Sequence, residues 1–211
     1  MNTSLVLGNP SAAPAPALAP VPAGQVKAAM RERIRAERRT RDHRQREADA
    51  WGLAAVALEQ PEIASAHCVA AYASAPSAPG TLPLRHALRG GGTRVLLPVL
   101  LDDGHLDWSL DGEGPGDTST ELLGLDGITE ADVVIVPALA VDSLGNRLGQ
   151  GAGFYDRTLR RIDPTVTVFA FVFESEVLDA AIEPVPAESH DRPVDAVITP
   201  YRCLRLPPRR R

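Results

Sequence analysis

What this sequence lacks narrows it first. Its longest apolar runs, Val133 to Val141 and Thr165 to Phe173, are about half of the ~20 residues a spanning helix needs, so no segment is expected to cross a membrane. Cysteine is nearly absent: Cys68 and Cys203 stand far apart with no C-x-x-C spacing, which signals neither a zinc site nor a redox pair. Excess positive charge is missing too. A net charge of -5 gives no general cationic surface for a nucleic-acid backbone, so no nucleic-acid partner is expected and any phosphate binding has to be local. No charged start leads into a continuous apolar block ahead of Lys27, the first basic residue; a secretory signal is therefore not expected, and the expected location is the cytoplasm. His43, His67, His86 and His105 show no ligand spacing.

What is present describes an ordinary globular chain. Hydrophobic residues at 44% and charged residues at 23% lie close to the averages for folded domains, and the length suits one hydrophobic core, with a monomer as the default. Residues 1–24 form an Ala/Pro-rich segment whose small side chains bury too little area to repay ordering, so a disordered tail is expected there. A domain is expected over 25–203, and 204–211, ending in Pro207-Pro208-Arg209-Arg210-Arg211, reads as a flexible tail.

From Gln25 to about Gln60 the chain lacks proline and is rich in Ala, Arg, Glu and Gln, with Met30 and Ile34 on one stripe, which predicts one long helix or two shorter ones. Short β-prone runs follow at His67 to Tyr72, Thr93 to Leu101, Val133 to Pro137, Val166 to Phe173 and Val194 to Thr199. Leu82 to Leu88 and Phe154 to Ile162 carry helical patterns between them, and His105 to Leu110 alternates like an edge strand or hairpin arm. Strands alternating with helices favour crossover connections, hence a single α/β domain with a largely parallel sheet covered by helices on both faces.

The most informative stretch runs from Val136 to Leu159, a buried strand leading through a glycine loop into a helix. Gly149, Gly151 and Gly153 open backbone conformations closed to other residues and permit close approach to a ligand, while amides opening the next helix attract anions. Arg147 just before them offers a planar fork for phosphate oxygens, and Asp156 just after them a hard carboxylate for Mg²⁺. The loop is neither a Walker A sequence nor a G-x-G-x-x-G fingerprint. On spacing alone, a phosphate loop and a plain strand-to-helix turn both remain open. Likewise Lys27, Arg31, Arg35 and Arg38 share one helix face, which by itself reads as a solvated basic stripe.

Gly145-Asn-Arg-Leu-Gly-Gln-Gly-Ala-Gly-Phe-Tyr-Asp-Arg157 resembles the G-x-R-L-G-x-G-x-G-Y-Y-D signature of the 5-formyltetrahydrofolate cyclo-ligase family, and the similarity extends over approximately Val26 to Tyr201. The resemblance implies a NagB/RpiA/CoA transferase-like architecture. It further implies ATP as co-substrate with Mg²⁺, and 5-formyltetrahydrofolate as the other small-molecule substrate. Lys27-Ala-Ala-Met-Arg31 matches a Lys-x-x-x-Arg pair that the family uses toward ATP phosphate, leaving Arg35 and Arg38 solvated. The nucleotide-binding set implied is Lys27, Arg31, Arg147, Leu148, Gly149, Gln150, Gly151, Ala152, Gly153, Phe154 and Tyr155, with Arg147 and Tyr155 as catalytic residues. Asp156 and Asp191 are the implied metal ligands, while Asp195 is read as structural.

The implied reaction transfers a phosphoryl group from ATP to the formyl oxygen on N5; N10 then attacks the formyl carbon and phosphate leaves, giving 5,10-methenyltetrahydrofolate. Two positions depart from the pattern. Phe154 replaces one tyrosine of a Tyr-Tyr pair, keeping the ring without the hydroxyl. At Ser77-Ala-Pro-Gly-Thr81 relatives carry a Glu that hydrogen-bonds the pterin, and Ala78 stands in its place. A diverged relative with weak or altered folate activity, or a non-catalytic nucleotide-binding protein, therefore stays open as an alternative. Trp108 and Tyr72 are read as packing residues rather than pterin contacts.

Overall fold

The computed structural model describes residues 22–112, 121–188 and 191–207. Residues 1–21 and 208–211 of the two expected tails, and His190 beside the expected metal ligand, lie outside them. The helices are α1 (Ala23–Thr40), α2 (His43–Leu58), α3 (Pro61–Ala64), α4 (Leu82–Gly90) and α5 (Phe154–Thr158). The strands are β1 (Cys68–Ala70), β2 (Arg94–Leu100), β3 (Leu106–Leu110), β4 (Val133–Pro137), β5 (Ala140–Asp142), β6 (Arg147–Leu148), β7 (Thr167–Phe171), β8 (Val177–Leu178), β9 (Ala196–Ile198) and β10 (Cys203–Arg205).

Seven strands form the main sheet in the order β10-β9-β7-β4-β1-β2-β3. The inner pairings β9/β7, β7/β4, β4/β1 and β1/β2 are parallel, and only the edge strands β3 and β10 run antiparallel to their neighbours. Parallel neighbours require crossovers, and the covering helical segments bury both faces of the central strands. Alternation along β4 shows this directly. Val133 and Ile135 pack with Leu53, Ala57, Leu84 and Leu88 from α2 and α4, whereas Val134 and Val136 pack with Ile128, Leu159 and Ile162 on the opposite face. Burial of each such side chain contributes on the order of 1.5–3 kcal/mol, which is why an uninterrupted Val-Val-Ile-Val run sits at the centre of the sheet.

Local chemistry decides the element ends. Asp42 accepts a hydrogen bond from the Gln45 amide at 2.8 Å, capping α2 and dividing the helical region in two. The helix expected to reach Ile162 stops at Thr158, and Arg192 donates to the carbonyls of Leu159 (2.9 Å) and Val166 (3.2 Å) in the turns that follow. Toward the chain's two ends, elements lie partly outside the 25–203 range expected for the domain. Ala23 opens α1, and β10 occupies part of the expected 204–211 tail: it pairs with β9, while Arg205 pairs with Glu62 and stacks 5.1 Å from the Phe169 ring centroid. Both cysteines are free; burial pushes the Cys68 thiol up to about 11, consistent with an unreactive packing residue.

A second, three-stranded sheet, β6-β5-β8, continues from the C-terminal end of β4 and carries the glycine loop. Helix α1 packs on it through Met30 and Ile34, which meet Leu139, Ala140, Leu148 and Val185. The expectation that Arg38 is solvated is corrected here. Arg38 lies on the same stripe, is 2% exposed, and donates to both carboxylate oxygens of Glu176 at 2.7 and 2.8 Å and to the Ala138 carbonyl at 2.6 Å. A buried guanidinium persists only where its donors are paired, and Glu176 lies too far along the chain to be found from α1 alone.

Candidate active site

Buried Asp142 builds the turn that presents β6. Its carboxylate accepts from the amides of Leu144 (3.0 Å), Asn146 (2.9 Å) and Val185 (3.1 Å) and from the Asn146 side chain (2.9 Å). Gly145, at φ +86°, completes it: a Cβ there would stand 2.7 Å from the Val194 carbonyl, so the turn is pressed against the segment leading to β9. That contact brings residues 188 and 191 beside the loop that follows β6.

The loop and its neighbours enclose a cleft of about 420 Å³ at the C-terminal end of β4, bounded by Pro137. Ligand sites in open α/β sheets favour this location. Lys27 and Arg31 face it from α1, Arg147 through Asp156 from the β6–α5 connection, and Glu188 and Asp191 from the facing segment. All thirteen residues expected at the site thus line one cleft. Gly151 (φ +110°) and Gly153 (φ +69°) hold the left-handed conformations a loop of this shape needs. Helix α5 has only five residues, so the loop's own amides, rather than a helix dipole, are the anion-attracting feature.

Apart from Arg31, which donates to the Gly149 carbonyl, the charges in the cleft are paired with one another. Lys27 Nζ stands 3.2 Å from both Asp191 Oδ2 and Glu188 Oε1, and Arg147 Nη2 donates to Asp156 Oδ1. Of the buried polar atoms without a partner among the described residues, two belong to residues lining the cleft, Arg147 Nε and the Tyr155 hydroxyl. Burial pushes the Tyr155 phenol well above its ordinary range, outweighing the pull of Arg147, whose Cζ lies 6.0 Å from the ring centroid. The raised value favours the neutral phenol, which can donate a hydrogen bond.

Other residues fall elsewhere. Tyr72 and Trp108 are buried packing residues, and the Tyr72 hydroxyl donates to the Pro79 carbonyl at 2.8 Å, fixing the segment that carries Ala78. Ala78 lies in a separate recess with His43, Arg46, Ser74 and Gly80. Asp195 accepts from the Val168 amide at 2.8 Å, a structural contact between neighbouring strands. Sequence reasoning missed Glu188, which shares Lys27 with Asp191, and the loop contact of Arg35, which is exposed as expected yet donates to Gln150. One signal was present: Lys27 is the only lysine in a chain whose other cationic side chains are all arginines, and it sits in the cleft.

A glycine loop at the end of a central parallel strand, flanked by fixed cations and carboxylates, defines an α/β protein equipped to handle phosphate groups. The chain belongs to the 5-formyltetrahydrofolate cyclo-ligase family, whose model matches residues 23–200. It is 41% identical over 155 residues to a 5-formyltetrahydrofolate cyclo-ligase of Mycolicibacterium smegmatis, covering 66% of this chain and 77% of that one. The enzyme of that name from Escherichia coli K12 is 30% identical over 181 residues, covering 80% of this chain and 97% of the relative. Among solved structures, the 5,10-methenyltetrahydrofolate synthetase of Aquifex aeolicus shares the fold, with a TM-score of 0.70 at 22% identity over 88% of this chain and 95% of that one.

Proposed function

We propose that this protein is an ATP-dependent ligase converting 5-formyltetrahydrofolate to 5,10-methenyltetrahydrofolate, with ADP and phosphate as the other products, and that the cleft beneath the glycine loop is where it does so. The observation carrying this reading is the convergence of Lys27, Arg31 and Arg147 with an amide-rich loop and three carboxylates, Asp156, Glu188 and Asp191, in one cleft. Such a set suits phosphoryl transfer, which asks a protein for positioning and charge neutralisation rather than a nucleophile. Arg147 steadies the transferred phosphoryl oxygens, Lys27 and Arg31 hold the remaining phosphates, and neutral Tyr155 donates a hydrogen bond to an oxygen in the cleft. Once the formyl oxygen carries the phosphoryl group, N10 forms the new bond to the formyl carbon and the C–O bond to phosphate breaks.

The donor set also fits magnesium. Among the described residues no cluster of three or more metal-ligating side chains occurs, so an all-protein cage is not offered. Mg²⁺ is commonly held by one or two carboxylates together with phosphate oxygens and water, and Asp156 and Asp191 supply those two. Bound there, it would offset negative charge on the phosphates. The direct test mixes purified protein, Mg²⁺, ATP and 5-formyltetrahydrofolate and follows methenyltetrahydrofolate absorbance; product that appears without ATP, or none at generous substrate, removes the assignment.

The internal pairing predicts linked binding. Nucleotide entering alone would take Lys27 and Arg147 from their carboxylates and leave Asp191 and Asp156 facing phosphate. Asp191→Asn is therefore expected to tighten metal-free ATP binding several-fold and to shrink the improvement that Mg²⁺ brings. Calorimetric dissociation constants with chelator and with Mg²⁺ check this; an unchanged ratio between the two counts against Asp191 as a metal ligand.

Ala78 gives a second prediction. If its recess meets the pterin, Ala78→Glu restores a charged hydrogen bond and lowers the Michaelis constant for 5-formyltetrahydrofolate by about ten- to a hundredfold. Steady-state kinetics at saturating ATP measure it, and an unchanged or higher constant argues that this recess has no such role.

A further inference from the structure

Three carbonyl groups of the glycine loop are held by arginine side chains. Arg31 Nε donates to the Gly149 carbonyl at 2.9 Å, Arg35 Nη2 to the Gln150 carbonyl at 2.9 Å, and Arg157 Nη1 to the Ala152 carbonyl at 3.2 Å. Arg35 also grips the Gln150 side chain, with Nε and Nη2 at 3.1 and 2.8 Å from Oε1. Arg157 uses its second terminal nitrogen on the Gly104 carbonyl, in the turn joining β2 to β3. Of the three arginines only Arg31 lines the cleft; Arg35 and Arg157 are exposed side chains behind the loop.

Peptide planarity gives these contacts a consequence. In a trans peptide the carbonyl oxygen of one residue and the N–H of the next point in opposite directions, so fixing the carbonyl fixes the amide. Drawing the Gln150 and Ala152 oxygens outward turns the N–H groups of Gly151 and Gly153 toward the cleft. Among the described residues, no N–H group from Gln150 to Phe154 donates to a protein acceptor. Successive free amides in a loop with left-handed glycines form a concavity for an anion. The guanidinium groups also pack directly on the glycines: an added Cβ at Gly153 would lie a tight 3.2 Å from Arg157 Nη1, and one at Gly151 would meet Arg31 Cζ in van der Waals contact at 3.4 Å.

We propose that Arg35 and Arg157 are positioning residues for the triphosphate: they touch no substrate and act by holding two loop carbonyls outward, which keeps the Gly151 and Gly153 amides aimed at phosphate oxygens. This rests on the nucleotide reading of the cleft and extends it to residues outside the loop signature and behind the binding surface. An exposed arginine contributes little to stability, so the two roles separate experimentally. A structural contact shifts melting temperature and affects both substrates, whereas an amide-orienting contact affects the phosphate ligand alone.

The experiment uses the full chain as Arg35→Ala, Arg157→Ala, Arg157→Lys and the Arg35→Ala/Arg157→Ala double variant. Calorimetry gives the dissociation constant of magnesium ATP, kinetics give the two Michaelis constants, and a thermal melt reports the fold. Each single alanine is expected to weaken magnesium ATP about tenfold and the double variant about a hundredfold, with the 5-formyltetrahydrofolate constant within about twofold of wild type. Melting temperatures are expected to stay within about 2 °C. Arg157→Lys recovers part of the loss, since one ammonium can reach the Ala152 carbonyl but lacks the fork that spans to Gly104. Magnesium ATP binding by the double variant equal to wild type, or a parallel rise of both Michaelis constants with a lowered melting temperature, overturns the proposal. If wild-type protein takes up no magnesium ATP, the nucleotide reading itself fails, and that outcome is visible before any variant is made.

Discussion

Arg147→Ala is expected to lower kcat/KM by about a thousandfold while moving the melting temperature by only a few degrees. The two effects separate because of how this arginine is placed. Its backbone belongs to β6, whose pairing with β5 does not depend on the side chain, and its guanidinium reaches into the cleft to Asp156. Removing it leaves no stranded buried charge, since the Asp156 side chain is 25% exposed and water can take the place of the lost partner. On the proposed reading, what disappears is a pre-positioned cation for the phosphoryl group in transit, one whose Nε has no partner among the described residues. Arg147→Lys recovers little, because a point charge cannot reproduce a planar fork. Steady-state kinetics beside a thermal melt decide it; losses of activity and stability in step would make Arg147 a structural residue that merely lines the site.

Fold and site were legible in the sequence to different depths. The central strand β4 was readable to its ends because both its faces are buried, so Val133 to Val136 are all apolar, with Asp132 before them and Pro137 closing the strand. The loop was readable because backbone conformations open to glycine leave a mark at fixed spacing. Edge strand β10 was not, since Cys203-Leu204-Arg205 has no periodicity and becomes a strand only because β9 offers an unpaired edge. Charges were hardest. Arg31, Arg35 and Arg38 look alike as solvated cations, yet one faces the cleft, one holds the loop from behind, and one is buried. Their partners Gly149, Gln150 and Glu176 lie more than a hundred residues away, so the fates of these side chains are tertiary facts. A faint clue existed for Arg38: it continues the apolar stripe of Met30 and Ile34 at helical spacing.

That buried arginine supports the largest expected effect on stability. Glu176→Ala is expected to cost about 3–5 kcal/mol and to lower the melting temperature by roughly 6–20 °C. Both side chains of the pair are only 3% exposed. Without the carboxylate, the Arg38 guanidinium keeps the Ala138 carbonyl as its only hydrogen-bond partner among the described residues, and the Phe173 amide, which donates to Glu176 at 2.8 Å, loses its acceptor. The damage should reach the active site, because Ala138 lies between β4 and β5, on the path by which the sheet hands the chain to the glycine loop. The pair is not thereby a strong net stabiliser. Burial pushes the Glu176 carboxyl above its ordinary value even against the pull of Arg38, so desolvation outweighs the attraction. Replacing both partners with apolar residues of similar volume, Arg38→Met with Glu176→Leu, is accordingly expected to recover most of the stability that Glu176→Ala loses. Denaturant titration of the single and double variants tests both halves: a single variant within about 1 kcal/mol of wild type, or a double variant no better than the single, contradicts this account of why α1 stays docked beside the cleft.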